Sequence, residues 1–305
     1  MNSSKLWSLV LATWAVVNQL GWAAEPVPLT TDGQFKRDLV FWPGGKELVF
    51  GSLAPPDKGG RVRLMRMKLE DQSMTEFSKT PDRELCFSTD GNVYAYTVIG
   101  GGSMNSTIEV KNIKLDKTMT IKRGIFVNRP ALSPDGSRIV FMVNAVQLVS
   151  LELWKDDAKD LNIGEKGDVW PNYSPDGSRI VFTSKRDKDY ELYTMKPDGT
   201  EPKRLTNSPG MDINAVYSPD GKQIAFTSNR DSNYEIYVMN ADGANVRRVT
   251  NHPERDDFPC WTPDGKHLLF VGERNGKFDI YKVEAPAENT TAVTGTLPAV
   301  GATKR

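Results

Sequence analysis

The stretch Asn172-Tyr-Ser-Pro-Asp-Gly-Ser-Arg-Ile-Val-Phe-Thr-Ser-Lys-Arg-Asp-Lys-Asp-Tyr-Glu-Leu-Tyr-Thr-Met195 decides how the chain folds, because it recurs. Val216 to Met239 repeats it almost residue for residue, and Cys260 to Val283 repeats it more loosely. The turn glycines Gly177, Gly221 and Gly265 stand 44 residues apart. A fixed period of this length marks a repeat architecture. Within one copy, Asn172–Ser174 reads as a short strand that ends in the turn Pro175-Asp176-Gly177. Proline presets φ there and glycine supplies φ > 0. Arg179–Ser184 carries Ile180, Val181 and Phe182, which suit a pleated sheet. Lys185–Asp189 is a polar hairpin loop, Glu191–Met195 a third strand, Pro197-Asp198-Gly199 a second turn and Lys203–Thr206 a short fourth strand. Four antiparallel strands in about 44 residues make one blade of a β-propeller.

Weaker copies extend the series toward the N-terminus. Ser133-Pro-Asp-Gly136, Ser88-Thr-Asp-Gly91 and Trp42-Pro-Gly-Gly45 precede Gly177 at intervals of 41, 45 and 46 residues. The chain is therefore expected to be all-β, a six-bladed propeller of four-stranded antiparallel blades. Arg204-Leu-Thr206 and Arg248-Val-Thr250 each end 15 residues before the next turn glycine, and Pro28-Leu-Thr30 ends 15 residues before Gly45. Val27–Thr31 should thus be an outer strand that joins the sixth blade and closes the ring, hiding two free sheet edges. Thr290–Thr294 is the competing strand.

Three segments follow: a signal peptide over 1–24, the propeller over 25–284, and a tail over 285–305 too poor in apolar periodicity to fold by itself. Lys5, the apolar run Leu6–Val17 and Gly21-Trp-Ala23 have the order of a secretory signal, with cleavage expected after Ala23 or Ala24. That places the mature protein in the periplasm or outside the cell, with no membrane span after cleavage. Basic and acidic residues balance at 39 each, which leaves no electrostatic footprint for nucleic acid. Cys86 and Cys260 occupy the same repeat position in non-adjacent blades, so they should remain unpaired. The basic run Arg61–Lys68 reads as a strand with a solvated face, and blade 3 should turn tightly at Asn144-Ala145.

No catalytic motif emerges. The two histidines, His252 and His267, fall in a loop and on a second strand of the last blade. There is no nucleophile elbow, metalloprotease pair or phosphate loop. Two polar columns do recur. On the hairpins, Arg186, Arg230 and Arg274 each precede an acid by five residues (Glu191, Glu235 and Asp279), which suggests ion pairs across the hairpin. Nine residues before each turn glycine stand Lys36, Asp82, Val127, Asp168, Asp212 and Asp256, just ahead of the innermost strands. Asp82, Asp168, Asp212 and Asp256, with the neighbouring Asp257, could form an acidic channel mouth or could cap their own loops. Seven residues before the glycines stand Asp38, Glu84, Arg129, Trp170, Asn214 and Phe258, which add charged and aromatic groups to that mouth.

Tyr217-Ser-Pro-Asp-Gly221, Ile224-Ala-Phe-Thr-Ser-Asn-Arg-Asp231, Glu235-Ile-Tyr-Val-Met-Asn-Ala-Asp-Gly243 and Arg248-Val-Thr250 resemble the TolB-like, PD40 or WD40-like propeller repeat. The resemblance covers about residues 27–284, closely in blades 4 to 6. It implies an exported, non-enzymatic cell-envelope protein that binds a protein or peptide, such as an envelope lipoprotein, at its channel mouth. The small α/β domain that precedes the namesake's propeller has no counterpart in the sequence. The expected partner site is Asp82, Asp168, Asp212, Asp256, Asp257, Trp170, Asn214, Phe258 and Arg129, on a monomer. Two alternatives stay open. Related propellers include metal-assisted polysaccharide lyases and other carbohydrate-active proteins, and the acidic column could instead hold a stabilising Ca²⁺ ion.

Overall fold

The computed structural model describes residues 25–53, 60–78, 80, 82–100, 105–155, 161–163 and 167–287. The expected signal peptide, Thr290–Thr294 and most of the tail lie outside these residues. Six four-stranded antiparallel sheets form the ring. Blade 1 is β2 (Lys36–Phe41), β3 (Glu47–Leu53), β4 (Val62–Lys68) and β5 (Met74–Glu76). Blade 2 is β6 (Asp82–Phe87), β7 (Val93–Ile99), β8 (Ser106–Asn112) and β9 (Lys117–Ile121). Blade 3 is β10 (Val127–Leu132), β11 (Arg138–Val143), β12 (Gln147–Glu152) and β13 (Leu161–Asn162). Blade 4 is β14 (Asp168–Tyr173), β15 (Ile180–Ser184), β16 (Glu191–Met195) and β17 (Lys203–Arg204). Blade 5 is β18 (Asp212–Tyr217), β19 (Gln223–Ser228), β20 (Glu235–Asn240) and β21 (Arg247–Arg248). Blade 6 is β22 (Asp256–Trp261), β23 (His267–Arg274) and β24 (Lys277–Glu284), completed by β1 (Val27–Pro28) from the N-terminal side.

The repeated turn has a chemical reason. In Ser174-Pro-Asp-Gly177 the serine hydroxyl donates to Asp176 (2.6 Å) and accepts from the Arg179 N–H, while Asp176 accepts from the Ser178 N–H. Ser88, Ser133, Ser218 and Thr262 rebuild the hydroxyl–aspartate contact in other blades. Gly177 adopts φ 71°, a left-handed value that an L side chain resists. The Asn144-Ala145 turn of blade 3 also forms, with φ 51° and 58° at its two central residues and the Val146 N–H donating to the Val143 carbonyl (3.2 Å).

The core lies in the seams between blades. The middle of each second strand supplies a fully buried ring, Phe50, Phe141, Phe182, Phe226 or Phe270, and the blade 2 counterpart is the half-buried Tyr96. Cys86 and Cys260 are free, and burial pushes both thiols up to about 12.

Closure follows the expected spacing. Val27 pairs with Lys282 and Pro28 with Tyr281. Thr30 then donates to Asp279 (2.8 Å), as Thr206 does to Glu191 (2.6 Å) in blade 4. The closing seam differs in one residue. Lys36, fully buried, reaches Asp32 and Asp279 and the carbonyls of Gln34 and Phe278. Elsewhere in the ring an aspartate usually holds that position, so closure adds an ion pair between first and last blades.

Candidate functional site: the ring around the axis

The inner strands β2, β6, β10, β14, β18 and β22 each touch the inner strands of both neighbouring blades, so they close around one axis. All six pairings of an inner with a second strand are interrupted in the same way. In β14–β15, Val169 faces Thr183 and Asn172 faces Val181, with a bulge between. The same break occurs in β2, β6, β10, β18 and β22. At each bulge one residue takes a left-handed φ: Asp38 (54°), Glu84 (61°), Arg129 (54°), Trp170 (53°), Asn214 (54°) and Phe258 (56°). These are the residues seven before the turn glycines. A bulge re-aims a side chain and bends its strand. A bulky side chain at positive φ is unusual, and the ring does it six times, Trp170 and Phe258 included. The extra residue also explains why inner strands begin at Asp168, Asp212 and Asp256 rather than beside the turn, four residues earlier than the alternation at Asn172–Ser174 suggests.

The ring has two unlike halves. In blades 1 to 3 its members are charged and joined to one another. Arg129 donates from Nη1 to Asp38 Oδ1 (2.7 Å), and its Nε lies 3.2 Å from Glu84 Oε1. The Arg129 N–H and the Thr97 hydroxyl donate to the other oxygen of Glu84 (2.7 and 2.8 Å). Arg37 pairs with Asp38 and lies 3.7 Å from Glu84. Burial alone would raise the Asp38 carboxyl, but Arg129 and Arg37 hold it below the usual carboxylate range. In blades 4 to 6 the members are Trp170, Asn214 and Phe258, all half-buried. Asn214 donates to Asp257 (2.9 Å), which also accepts from Thr227 and from the Phe258 N–H (both 2.7 Å) and pairs with Arg255. The Trp170 ring leans on Tyr190, with centroids 5.9 Å apart. Arg37 lies 5.6 Å over the Phe258 ring and links the two halves.

The acidic column lies behind this ring rather than in an open mouth. Asp82, Asp168, Asp212 and Asp256 are all buried, at 0–1% exposure, and Val127 and Lys36 are buried with them. Asp168 pairs with Arg186 (2.8 Å), Asp212 with Arg230 (2.8 Å) and Asp256 with Arg274 (2.7 Å). The hairpin arginines therefore do not reach forward to Glu191, Glu235 and Asp279, as five-residue spacing suggested. The register explains it: Ser184 stands opposite Asp168 and Ser228 opposite Asp212, so an arginine two residues past the strand end emerges beside the inner-strand aspartate. Glu191 and Glu235 instead take Arg204 (3.0 Å) and Arg248 (2.9 Å) from the outer strands. Asp82 accepts from Thr80 (2.7 Å), and its other oxygen is buried without a hydrogen-bond partner.

The donor chemistry bears on the Ca²⁺ alternative. Asp168, Asp212 and Asp256 each spend their carboxylate on their own blade's arginine and do not converge. Among the described residues no three His, Cys, Asp or Glu side chains come together in a way that fits a metal ion. His252 accepts from the Glu254 N–H (3.1 Å) in a loop, and His267 lies on β23, so neither is on an innermost strand.

Residues 164–298 match the family model PD40, described as the TolB beta propeller domain. The curated proteins contain no match to the chain. Among solved structures, the putative TolB from Agrobacterium tumefaciens is similar at 20% identity and a TM-score of 0.63, with 83% of this chain and 91% of that one covered. TolB from Acinetobacter baumannii gives 20% and 0.62 and covers 80% of this chain, while this chain spans 65% of that one. The oligogalacturonate lyase from Vibrio parahaemolyticus gives 13% and 0.53, with 87% and 96% covered. Identities this low speak for the shared fold alone. The repeat, the six sheets and the solved structures agree on the fold: the chain is a six-bladed β-propeller, and its residues 164–298 match the TolB beta propeller domain.

Proposed function

We propose that this propeller is an exported, non-enzymatic protein that binds a protein or peptide partner where the inner strands meet. The observation that carries the reading is the bulge ring. Each blade holds one residue of its innermost strand at a bulge with a left-handed φ, and the strain is repeated even for Trp170 and Phe258. Half-buried aromatic groups on a rigid scaffold are the usual anchors of protein recognition. On this reading Trp170, Asn214, Phe258, Asp257 and Arg129 meet the partner. Asp168, Asp212 and Asp256, through buried ion pairs with their blades' arginines, and Asp82, through its bond from Thr80, act behind them as positioning residues that fix the entry to their inner strands.

An envelope lipoprotein is one partner of the right class, and a periplasmic or secreted location suits it. Among the described residues no helix is long and apolar enough to cross a membrane. The test is capture of partners from envelope extract with the mature protein, its Trp170→Gly/Phe258→Gly variant, and an Asn variant of the four buried aspartates. Glycine tolerates the left-handed φ, so the first variant removes side chains without removing the bulge. Partner recovery should fall at least about tenfold with that variant. Equal recovery would place the partner site elsewhere.

A further inference from the structure

One outer strand departs from the others. β9 spans five residues, whereas the outer strands β5, β13, β17, β21 and β1 span three or two. It pairs residue for residue with β8, from Ile108 against Ile121 to Asn112 against Lys117, and among the described residues no further strand follows it in the sheet. Alternate residues of a paired edge strand turn their N–H and C=O groups outward, which makes a template for another strand. Propellers ordinarily keep such edges short.

The chemistry around this edge is one-sided. Lys114, Lys117 and Lys122 are exposed and make no ion pair among the described residues. Arg123 is exposed beside them, and Lys111 lies 5.8 Å from the Tyr96 ring at the strand's inner neighbour. The local acids are Asp116, in the turn, and Glu109, which accepts from Thr120 (2.7 Å). Ile113 (60% exposed), Leu115 (52%) and Ile125 (57%) flank the two ends. A basic edge repels a second copy of itself and attracts an acidic segment.

We propose that the outer edge of blade 2 is a second partner site, which takes an extended segment of another protein as an added strand. The segment would carry carboxylates near its ends, facing Lys117 at one end and Lys122 and Arg123 at the other. Those ends lie about 17 Å apart along a strand of this length. Alternating β-branched residues between the carboxylates would pair with the open backbone groups, and apolar residues beyond them would cover Leu115 and Ile125. Main-chain bonds would give affinity, and the lysines would give selectivity and rate.

The probe is the synthetic peptide Glu-Val-Thr-Val-Thr-Val-Glu, titrated into the full mature protein and followed by amide exchange at β9 and by fluorescence anisotropy. Binding should slow exchange at β9 and weaken with added salt. N-methylation of alternate peptide amides should weaken it at least about tenfold, because it removes strand donors. Lys117→Glu/Lys122→Glu should weaken it similarly, with the melting temperature unchanged because both side chains are exposed. Three results would overturn the proposal: no binding, equal binding of the N-methylated peptide, which would mean a general polyanion patch, or self-association of the protein through β9.

Discussion

Arg129, on the inner strand of blade 3, donates to Asp38 on the inner strand of blade 1, with Nη1 and Oδ1 2.7 Å apart. The two blades are not adjacent, so this ion pair crosses in front of blade 2 and ties three blades at the axis. Arg129→Ala should leave Asp38 and Glu84 nearly buried without their main cation, at a cost of about 3–5 kcal/mol in urea unfolding. The sign of the pH effect follows from Asp38. Its carboxyl is held below the usual value, so it contributes stability above the unfolded-state pKa, and that contribution is lost as pH falls through the folded-state one. Wild type should lose stability below about pH 4, and Arg129→Ala should lose less over that window.

A second prediction comes from one seam that lacks a donor. Ser208 donates to Asp212 (3.1 Å), and Arg230 reaches both oxygens of Asp212. One repeat later His252 replaces Ser208, Arg274 reaches only Oδ1 of Asp256, and Oδ2 has no partner. Burial, with Glu235 nearby, pushes Asp256 up to about 6 despite Arg274. A raised carboxyl pKa favours the protonated folded state, so this term is present at low pH and is lost as pH rises through about 6. Carboxyl NMR should show a titration near that value. His252→Ser should return a hydroxyl donor to Oδ2 and move the titration down, and no movement would show that the missing donor is not the cause.

Ring closure gives a third. Deleting residues 25–31 removes β1, the Thr30–Asp279 bond and the chain that leads to Lys36, and it should lower the melting temperature sharply and expose an aggregating edge. Deleting residues 291–305 should leave it within about 2 °C, as expected for a segment without a core role. The reverse pattern would transfer closure to the C-terminal side.

Export gives a fourth. N-terminal sequencing of the protein from its own host should begin at Ala24 or Glu25. A chain that still carries Lys5 and Leu6 would refute cleavage at that place.

Much of this was legible in the sequence, and the parts that were not share a cause. The period of the turn glycines gives six blades, and the distance from Thr30 to Gly45 gives the closing strand, because turns and outer strands follow local rules. The bulge at Asp38, Glu84, Arg129, Trp170, Asn214 and Phe258 breaks the two-residue alternation that reveals strands, and local pattern cannot report it. The partner of Arg186 was likewise hidden. Spacing along the chain pointed to Glu191 five residues away, whereas the sheet brings Asp168, eighteen residues back, beside it. Burial of the aspartate column follows from that pairing and not from composition.

The central claim is that the ring of bulge residues meets the partner, and in-cell photo-cross-linking tests it most directly. A benzophenone amino acid placed at position 258 should yield a cross-linked protein adduct in the native host, while the same group at Lys196, exposed just past the third strand of blade 4, should yield none. Adducts from position 196 alone, or equal adducts from both, would contradict a partner site at the axis.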